Sequence, residues 1–487
     1  MDKRFIDQCE LEQLHLSGAI QPHGTLLMVD GALRVTHVAA NLDQFVPAET
    51  GIALGQPLPA PLTQWVAELG GAVGSRLLLE AALVGRSGPL DAALTRNAQE
   101  YVGIELTPNV PGDISYQPFH LGIAPPADFD ELHARQQDLV QRVFELSGYQ
   151  RVLYYSFRED GDGEVLAEAR QPEIYGSYLG LRFPASDIPQ IARILYLMNP
   201  WRQIPDAAGS PVPLWSDGVE TADLSYTDLR SVSPIHALYL ANMGVRASLS
   251  FPIVVGGELW GLIACHQSSP CLLGTSQLNT ISHEVRSHVM AMSAFFAQRR
   301  IQMLDSLVYR FREARDILHA EGDIVTAWPK MAAWLADAFG ADGATLCMGD
   351  EYANWGVSFE DSALKVFDPW FVEQQGESVW LGDRLGRQVS GFCLSRIAGV
   401  LAVKAKLAGN EFLRVYLTRQ EYIHEVAWGG NPEKPVEYHD GAIGIAPRRS
   451  FEKWVEKRLG RSRPWENEAR LLGLKLRELL VEIARDV

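Results

Sequence analysis

The stretch LRFPASDIP, residues 181–189, places one carboxylate, Asp187, between two prolines. Each proline disfavours helical backbone at the residue before it, so the segment is predicted to be irregular and stiff. Two uses explain a carboxylate held in such a segment. It caps the helix favoured by the following PQIARILYLMNP, with Pro189 just inside the helix, or it belongs to a functional site.

The composition around this stretch is that of a folded protein. The chain has 487 residues, of which 47% are hydrophobic and 21% charged, and its length predicts two to four domains of roughly 100 to 200 residues each. The formal net charge of -17 argues against a nucleic-acid surface. No run of about 18 apolar residues occurs and the N-terminus lacks the apolar part of a signal peptide, so we expect a cytoplasmic protein without membrane contact.

The cysteines are odd in number and scattered, at Cys9, Cys265, Cys271, Cys347 and Cys393. Without a C-x-x-C pair they argue against a disulfide framework and against a cysteine-rich zinc site, and no metal site is predicted. Cys9 differs from the others because it lies in a polar N-terminal segment that would leave its thiol accessible.

Turn residues and apolar runs indicate successive mixed domains. Up to about residue 125, short apolar runs alternate with Gly/Pro turns and predict a small sheet with short helices. The segment after Pro125-Pro126 begins with a predicted helix, LHARQQDLVQRVFELSG, followed by a strand, RVLYYSF. Two later apolar runs meet at Gly256-Gly257, which predicts a β-hairpin because such turns need positive φ.

Residues 275–321 contain neither Gly nor Pro and predict one long amphipathic helix. Its apolar residues recur every three or four positions, at Leu278, Ile281, Val285, Val289, Met292 and Phe296. This stripe is either a dimer seam or the buried face of a helix in the third domain. In that domain the Gly/Pro-rich segment 426–454 predicts a hairpin-like extension. A final helix is predicted from Pro464, with a seam at Leu472, Leu476, Leu479 and Ile483.

Polar groups set in apolar or aromatic surroundings concentrate between residues 181 and 266. They are Asp187, Tyr196, Arg202, Arg230, Ser233, His236, Tyr239, Ser248, Ser250 and His266. Arginine forks and hydroxyl groups hold carboxylates, so the set predicts a pocket for an elongated acidic ligand with an apolar body. Taken alone, each histidine is more often a satisfied structural residue than a ligand contact, and neither has the spacing of a metal ligand.

Seven short motifs occur in a fixed order: GAIQPHG after an N-terminal cysteine, FPASDIP, LRSVSPIH, NMGV, LWGLIACH, WGGNP and PRRSFEKW. In this order they resemble the bacterial phytochromes over essentially the whole chain. The resemblance implies an α+β fold of three mixed domains linked by long helices. These would be PAS at 1–125, GAF at 126–303 and PHY at 304–487, with an N-terminal knot and a tongue extension of PHY at about 421–456.

The function implied by the resemblance is a red/far-red photoreceptor with biliverdin IXα as a thioether-linked chromophore. It would photoconvert between two states, have no enzymatic activity of its own, form a homodimer and act through a C-terminal output module such as a histidine kinase. Two alternatives remain in view. A small-ligand GAF regulatory module would share the fold without needing Cys9, and a hydrolase using Cys9 is disfavoured because no base is placed near its thiol.

The resemblance also implies roles for individual residues. Cys9 would attach the chromophore, since Ile235 stands where relatives with other bilins have a cysteine. Asp187 would offer its backbone carbonyl to the pyrrole N–H groups, with His236 nearby. Other implied positions are the propionate contacts Arg202, Arg230, Ser248 and Ser250, the ring D contact His266, the lining residues Tyr155, Tyr178, Phe183 and Tyr239, and the pocket residues Tyr196 and Ser233. The Asp187 side chain would contact Arg448 or Ser450 of the tongue in turn.

Overall fold

The computed structural model describes residues 13–111, 124–158, 160–174, 176–218, 220–374, 376–392, 396–407, 411–432, 436–439, 442–445, 451–465 and 467–486. The chain divides into two compact units. The first comprises the residues up to 295 with 427–454, and the second comprises 296–426 with the residues from 455 onward. Both units mix helices and sheets, so the α+β class predicted from the sequence is confirmed.

The first unit alternates strands with mostly short helices along the chain. Its elements are β1 (Ala19–Ile20), β2 (Thr25–Val29), β3 (Val35–Ala39), α1 (Leu42–Phe45), α2 (Leu62–Glu68), β4 (Arg76–Gly85), β5 (Gly88–Arg96), β6 (Val102–Pro108), α3 (Phe129–Ser147), β7 (Arg151–Phe157), β8 (Gly163–Arg170), β9 (Arg182–Phe183), α4 (Gln190–Met198), β10 (Arg202–Ile204), β11 (Val212–Ser216), α5 (Pro234–Asn242), β12 (Ala247–Val255) and β13 (Glu258–Gln267). Short 3-10 turns lie at Leu14–Leu16, Ala48–Thr50 and Ala185–Asp187.

The first sheet has the strand order β1-β11-β3-β2-β6-β5-β4 and carries a core built around Leu27, Leu94 and Ile104. One of its strands, β11, comes from beyond the predicted boundary at residue 125. Strand β11 joins this sheet because the N-terminal strand β1 pairs with it. The N-terminal segment also makes hydrogen bonds to the loop that precedes α5. Gln21 N donates to Leu229 O at 2.7 Å, and Ser231 N donates to Ala19 O at 3.1 Å. The N-terminal segment thus contacts two stretches from the middle of the chain, as the predicted knot requires.

The second sheet has the order β10-β12-β13-β7-β8-β9-β19-β22, where β19 is His424–Gly429 and β22 is Lys453–Arg458. The predicted hairpin is confirmed: β12 and β13 are antiparallel and are joined by Gly256 and Gly257, whose φ values are +63° and +85°. Trp428 of β19 pairs in parallel with Arg182 of β9. Within the predicted extension, β20 (Val436–His439) and β21 (Ala442–Ile445) form an antiparallel pair, which confirms its hairpin character.

The long helix α6 runs from Thr275 to Glu321, as the sequence predicted. Four residues of its apolar stripe, Leu278, Ile281, Val285 and Met292, are buried in the first unit, and Val289 and Phe296 are half-buried. This corrects the interpretation of the stripe as a dimer seam. A three-four repeat shows that a helix has an apolar face, but the repeat does not show what covers that face.

The second unit contains α7 (Ile324–Phe339), β14 (Gly343–Met348), β15 (Glu351–Gly356), α8 (Asp361–Glu373), β16 (Val379–Gly382), α9 (Leu385–Gln388), β17 (Ile397–Lys406), β18 (Phe412–Gln420) and α10 (Asn467–Asp486). Its sheet has the order β15-β14-β18-β17-β16. The predicted seam of α10 is confirmed, since Leu472, Leu476 and Leu479 are buried in the core and Ile483 packs against it.

The predicted start of the last helix at Pro464 is wrong, because α10 begins at Asn467. The neighbouring Trp465 explains the later start. Its side chain is buried, its Nε1 donates to Gly382 O at 3.1 Å, and the Arg419 guanidinium lies 3.9 Å from the ring centroid. These contacts hold the segment before the helix in place. None of the described helices is long and apolar enough to cross a membrane.

Candidate functional site

A cavity in the first unit brings together the polar and aromatic residues that the sequence singled out. It encloses about 1680 Å³ of space free of protein atoms, including its opening to solvent. The thirteen predicted pocket residues all line it: Tyr155, Tyr178, Phe183, Asp187, Tyr196, Arg202, Arg230, Ser233, His236, Tyr239, Ser248, Ser250 and His266. Strands β7, β9, β10, β12 and β13 contribute some of them, α4 and α5 others, and the segments between these elements the rest.

Asp187 ends the 3-10 turn Ala185–Asp187 and does not cap a helix. Helix α4 begins at Gln190 after Pro189, and no side chain caps it. The Asp187 carboxylate instead accepts a hydrogen bond from the hydroxyl of Tyr239, with 2.9 Å between Oη and Oδ2. The helix-cap interpretation is therefore wrong, and the carboxylate takes part in the polar contacts of the cavity.

Two arginines give the cavity a positive wall. Arg202 donates to the carbonyl oxygens of Asp228, Arg230 and Ser231, at 2.8, 2.6 and 3.1 Å. Arg230 is only 7% exposed, and its Nη1 has no hydrogen-bond partner within the described ranges. Burial, together with the charge of Arg202, lowers the pKa of Arg230 to about 9, and burial lowers that of Arg202. A cation kept from water in this way favours an anion as its partner.

Both predicted histidines are uncharged near neutral pH. Burial lowers the pKa of His236 to about 4, helped by the Arg202 charge, and burial lowers that of His266 to about 4, helped by Arg151. His236 lies in the first turn of α5 and stacks on Tyr239, with ring centroids 6.1 Å apart. In the part of the chain that the structure describes, His266 Nδ1 has no hydrogen-bond partner, which favours a ligand contact over a purely structural histidine.

Three aromatic rings that line the cavity lie close to one another. The rings of Tyr155 and Tyr178 lie 6.0 and 5.8 Å from that of Phe183, in tilted and edge-on arrangements. Gly429, in the strand that pairs with β9, makes room for this group, since a Cβ at Gly429 would lie 2.6 Å from the Phe183 ring. Tyr239 lies elsewhere, with its ring edge-on to Phe451 at 5.3 Å. Of the four residues predicted to line the ring D compartment, three therefore lie together and Tyr239 lies apart from them.

Hydroxyl groups line the strand side of the cavity. Tyr196 Oη lies 3.1 Å from Ser250 Oγ, and Ser250 pairs with Arg202 across β12 and β10. Ser248 pairs with His266 across β12 and β13. The two serines therefore lie next to the predicted carboxylate and ring D contacts. No group of residues suited to holding a metal ion occurs in the described part of the chain.

Sequence reasoning missed several residues at or near the site. Leu14 and Trp201 line the cavity, but an isolated apolar residue carries no signal of a pocket. Arg151 lies 3.9 Å from the centroid of the Tyr178 ring. Glu105 is buried and contacts the loop that precedes α5, in which Arg230 lies. Both residues belong to strands whose sequence shows only the pattern of a β-strand, so no motif marks them as functional. Three predicted site residues, Cys9, Arg448 and Ser450, lie outside the described residues.

Comparisons with known proteins point to one family. Residues 9–109 match the family model of the PAS fold, residues 131–291 that of the GAF domain and residues 305–486 that of the phytochrome region. The chain is 32% identical to a bacteriophytochrome of Pseudomonas aeruginosa, over 98% of this chain and 66% of that protein. It is 31% identical to a bacteriophytochrome of Xanthomonas campestris, over 94% of this chain and 76% of that protein.

A solved structure resembles this chain over nearly its whole length. The phytochrome photosensory core module of Stigmatella aurantiaca is 30% identical, with a TM-score of 0.82, and each chain covers 98% of the other. The chain spans 66% of the length of the Pseudomonas relative, so it corresponds to part of that protein. From the motifs, the PAS, GAF and PHY matches and this likeness, the chain belongs to the phytochrome family.

Proposed function

We propose that this chain is the light-sensing region of a red/far-red photoreceptor and that its cavity binds biliverdin IXα. The observation that carries the proposal is the pair Arg202 and Arg230, set in the wall of an otherwise largely apolar and aromatic cavity. A bilin has a long apolar conjugated body and two propionate groups. Arginine forks hold such carboxylates by charged, paired hydrogen bonds. The unpaired Nη1 of Arg230 within the described residues is suited to this role.

The remaining polar groups suit the other parts of a linear tetrapyrrole. When bound, the tetrapyrrole absorbs light and isomerises. Asp187 contributes a backbone carbonyl that accepts from pyrrole N–H groups, next to the neutral His236. His266, neutral and with a ring nitrogen that has no partner among the described groups, donates to the ring D carbonyl. Tyr155, Tyr178 and Phe183 exclude water around that ring and border the space in which it turns.

Covalent attachment is assigned to Cys9. The thiol adds across a vinyl double bond: sulphur bonds to one carbon, its proton goes to the other, and no oxidant is needed. Leu14, five positions later, lines the cavity, and five residues of chain span at most about 18 Å. Ile235, next to His236, offers no nucleophile.

Cys9→Ser is expected to abolish the covalent adduct while biliverdin still binds, because the arginine contacts are unchanged. Zinc-induced fluorescence on a denaturing gel detects the adduct, and absorption of the undenatured sample detects binding. Cys271→Ser is the matched control and should keep the fluorescent band. A band that persists in Cys9→Ser would assign the attachment to another cysteine.

The proposed function itself is tested by adding biliverdin to the purified chain and recording absorption in darkness, after red light and after far-red light. We expect a new red absorption band that red and far-red light convert reversibly. The alternative, a GAF module for another small ligand, predicts a spectrum equal to that of free biliverdin. That outcome would overturn the proposal.

Signalling in this proposal needs no reaction catalysed by the chain. The change at the chromophore passes to the tongue through Asp187, whose predicted partners there are Arg448 and Ser450, and then along the helices to an output module such as a histidine kinase. The tongue strand β19 supports this route, because Trp428 is buried and pairs with Arg182, beside Phe183 of the aromatic group. We further propose that the protein works as a homodimer in the cytoplasm.

A further inference from the structure

We propose that Glu105, on strand β6 of the first sheet, is a positioning residue for the two arginines of the cavity, and that ligand binding at these arginines is coupled to proton uptake by Glu105. The inference rests on the proposed function, since it takes the ligand to be a dicarboxylate. Glu105 itself does not line the cavity. It acts through the loop that precedes α5.

The Glu105 carboxylate holds the backbone of this loop. It is only 2% exposed, and it accepts hydrogen bonds from Leu229 N at 2.6 Å and from Asp228 N at 3.2 Å. These two amides lie more than 120 residues further along the chain. An N–H group left without an acceptor in such a place costs about 1–3 kcal/mol. Glu105 therefore fixes the loop to the first sheet.

The opposite side of the same loop holds the arginines. Arg202 donates to the carbonyl oxygens of Asp228 and Arg230, at 2.8 and 2.6 Å. Leu229 O accepts from Gln21 N at 2.7 Å. Because consecutive amides are held by Glu105 and consecutive carbonyls by Arg202 and Gln21, the loop can take few other positions. The Arg230 side chain, which begins in this loop, is thereby aimed at the cavity before any ligand arrives.

The charges around Glu105 give the coupling its sign. The groups that face it are Asp228 and Arg76, which form an ion pair, the arginines Arg202 and Arg230, and His23, which lines a small neighbouring cavity. Burial and the charge of Asp228 raise the pKa of Glu105 to about 8, while Arg76 and the hydrogen bonds from the Leu229 and Asp228 amides oppose the rise.

An anionic ligand changes this balance in one direction. The positive charges of Arg202 and Arg230 attract the ionised form of Glu105. Carboxylates bound to these arginines offset that attraction, so the protonated form of Glu105 gains in population. By linkage, binding of the ligand takes up protons near pH 8, and its affinity falls as the pH rises through this range.

The positioning role is tested first without ligand, by hydrogen exchange of the backbone amides of Asp228 and Leu229. We expect slow exchange in the wild type and at least tenfold faster exchange in Glu105→Leu. Asp91→Asn is the matched control. Asp91 is also buried in the first sheet and accepts from Ala81 N at 2.9 Å, but it lies outside the loop's contacts. Unchanged exchange in Glu105→Leu would overturn the positioning role.

The second variant is Glu105→Gln. It keeps one oxygen acceptor but cannot gain or lose a proton. The single amide oxygen of glutamine can accept from only one of the two backbone amides. Slow exchange should therefore persist at Leu229, which makes the shorter bond to Glu105, while the Asp228 amide exchanges faster. Slow exchange of Leu229 in Glu105→Gln supports the role, both beside a folded, rapidly exchanging Glu105→Leu and where Glu105→Leu does not fold. Rapid exchange in both Glu105→Gln and Asp91→Asn would mean a general loosening of the sheet and would overturn it.

Proton uptake is tested by calorimetric titration of biliverdin into the Cys9→Ser chain at pH 8, in two buffers of different ionisation enthalpy. In the Cys9→Ser background, we expect the chain with native Glu105 to take up more protons per bound ligand than the chain that also carries Glu105→Gln. Adding Asp91→Asn instead should leave the uptake unchanged. Equal uptake with and without Glu105 would overturn the coupling. If the wild type binds no biliverdin at all, the proposed function and the coupling fail together, while the exchange experiment still decides the positioning role.

Discussion

At the scale of single residues, Asp187 shows what local sequence can and cannot predict. Two prolines predict that its segment is irregular, and the structure places it in a 3-10 turn. Its hydrogen bond with Tyr239 was not predicted, because the partner lies 52 residues away on α5 and only the packing of α5 beside the turn brings them together. Motifs indicated which residues gather at the site, while the hydrogen-bonded pairs depend on the tertiary structure.

We expect Asp187→Leu to leave biliverdin attachment intact and to stop the photocycle at an intermediate. In the proposed function, attachment depends on Cys9 and the two arginines, none of which needs this carboxylate. The proposed signalling route needs Asp187 to exchange partners between Tyr239 and the tongue, and leucine accepts no hydrogen bond. Red-minus-far-red difference spectra measure the conversion, and zinc-induced fluorescence measures attachment.

Tyr239→Phe distinguishes the contribution of Tyr239 from that of the tongue, because it removes the Tyr239 hydroxyl donor and keeps the Asp187 carboxylate. This variant should convert completely but with altered rates. Full and reversible conversion of Asp187→Leu, at normal amplitude, would contradict a role for the carboxylate in the cycle.

At the scale of elements, residue patterns predicted which helices and strands form better than they predicted what those elements pack against. The absence of Gly and Pro gave both ends of α6, and Gly256-Gly257 gave the β12–β13 hairpin. Two contacts were not predictable from local sequence: the packing of the apolar stripe on α6 and the pairing of β11 within the first sheet. Both depend on segments that are distant along the chain. The start of α10 was misplaced because burial of Trp465 overrides the local preference for proline at a first helical position.

The exposed apolar residues of α6 are a better candidate for the homodimer contact than its buried stripe. Ile301 is 59% exposed and Leu304 is 43% exposed, one turn apart on the helix. Replacing both by Glu should shift the protein towards monomer in sedimentation at micromolar concentration, because charges at such a contact would have to lose water. The control is Gln302→Glu, an exposed change on the same turn. A wild type that sediments as a monomer would exclude this contact.

At the scale of the whole molecule, the fold keeps several ionisable groups of the first unit away from water, some in the wall of the cavity and others outside it. The arginine side chains lie between strands and a loop from distant parts of the chain. Among the described residues, burial lowers the pKa to about 4 at four histidines: His23, His236, His266 and His288. Such groups cost stability in the ligand-free protein, and an anionic ligand offsets part of that cost. The same enclosure makes stability depend on pH.

His288 on α6 allows this dependence to be measured away from the cavity. Its side chain is buried, and its Nε2 lies 3.1 Å from Tyr154 Oη. Burial, helped by the charge of Arg135, lowers its pKa from 6.5 to about 4. Between these values the unfolded chain binds a proton at this position and the folded chain does not, so acid favours unfolding. Stability is therefore complete above pH 6.5 and falls as the pH drops towards 4, by up to about 3 kcal/mol for this histidine.

We therefore expect His288→Gln, which can still bond with Tyr154, to flatten the fall of the thermal midpoint between pH 6.5 and pH 4 in the ligand-free chain. Calorimetric or fluorescence melting at closely spaced pH values measures the slope. His283→Gln is the matched control, since His283 lies on the same helix and is exposed, and this variant should keep the wild-type slope. A His288→Gln slope equal to that of the wild type would mean that His288 is already protonated in the folded chain, and burial beside Tyr154 and Arg135 would then not exclude the charge.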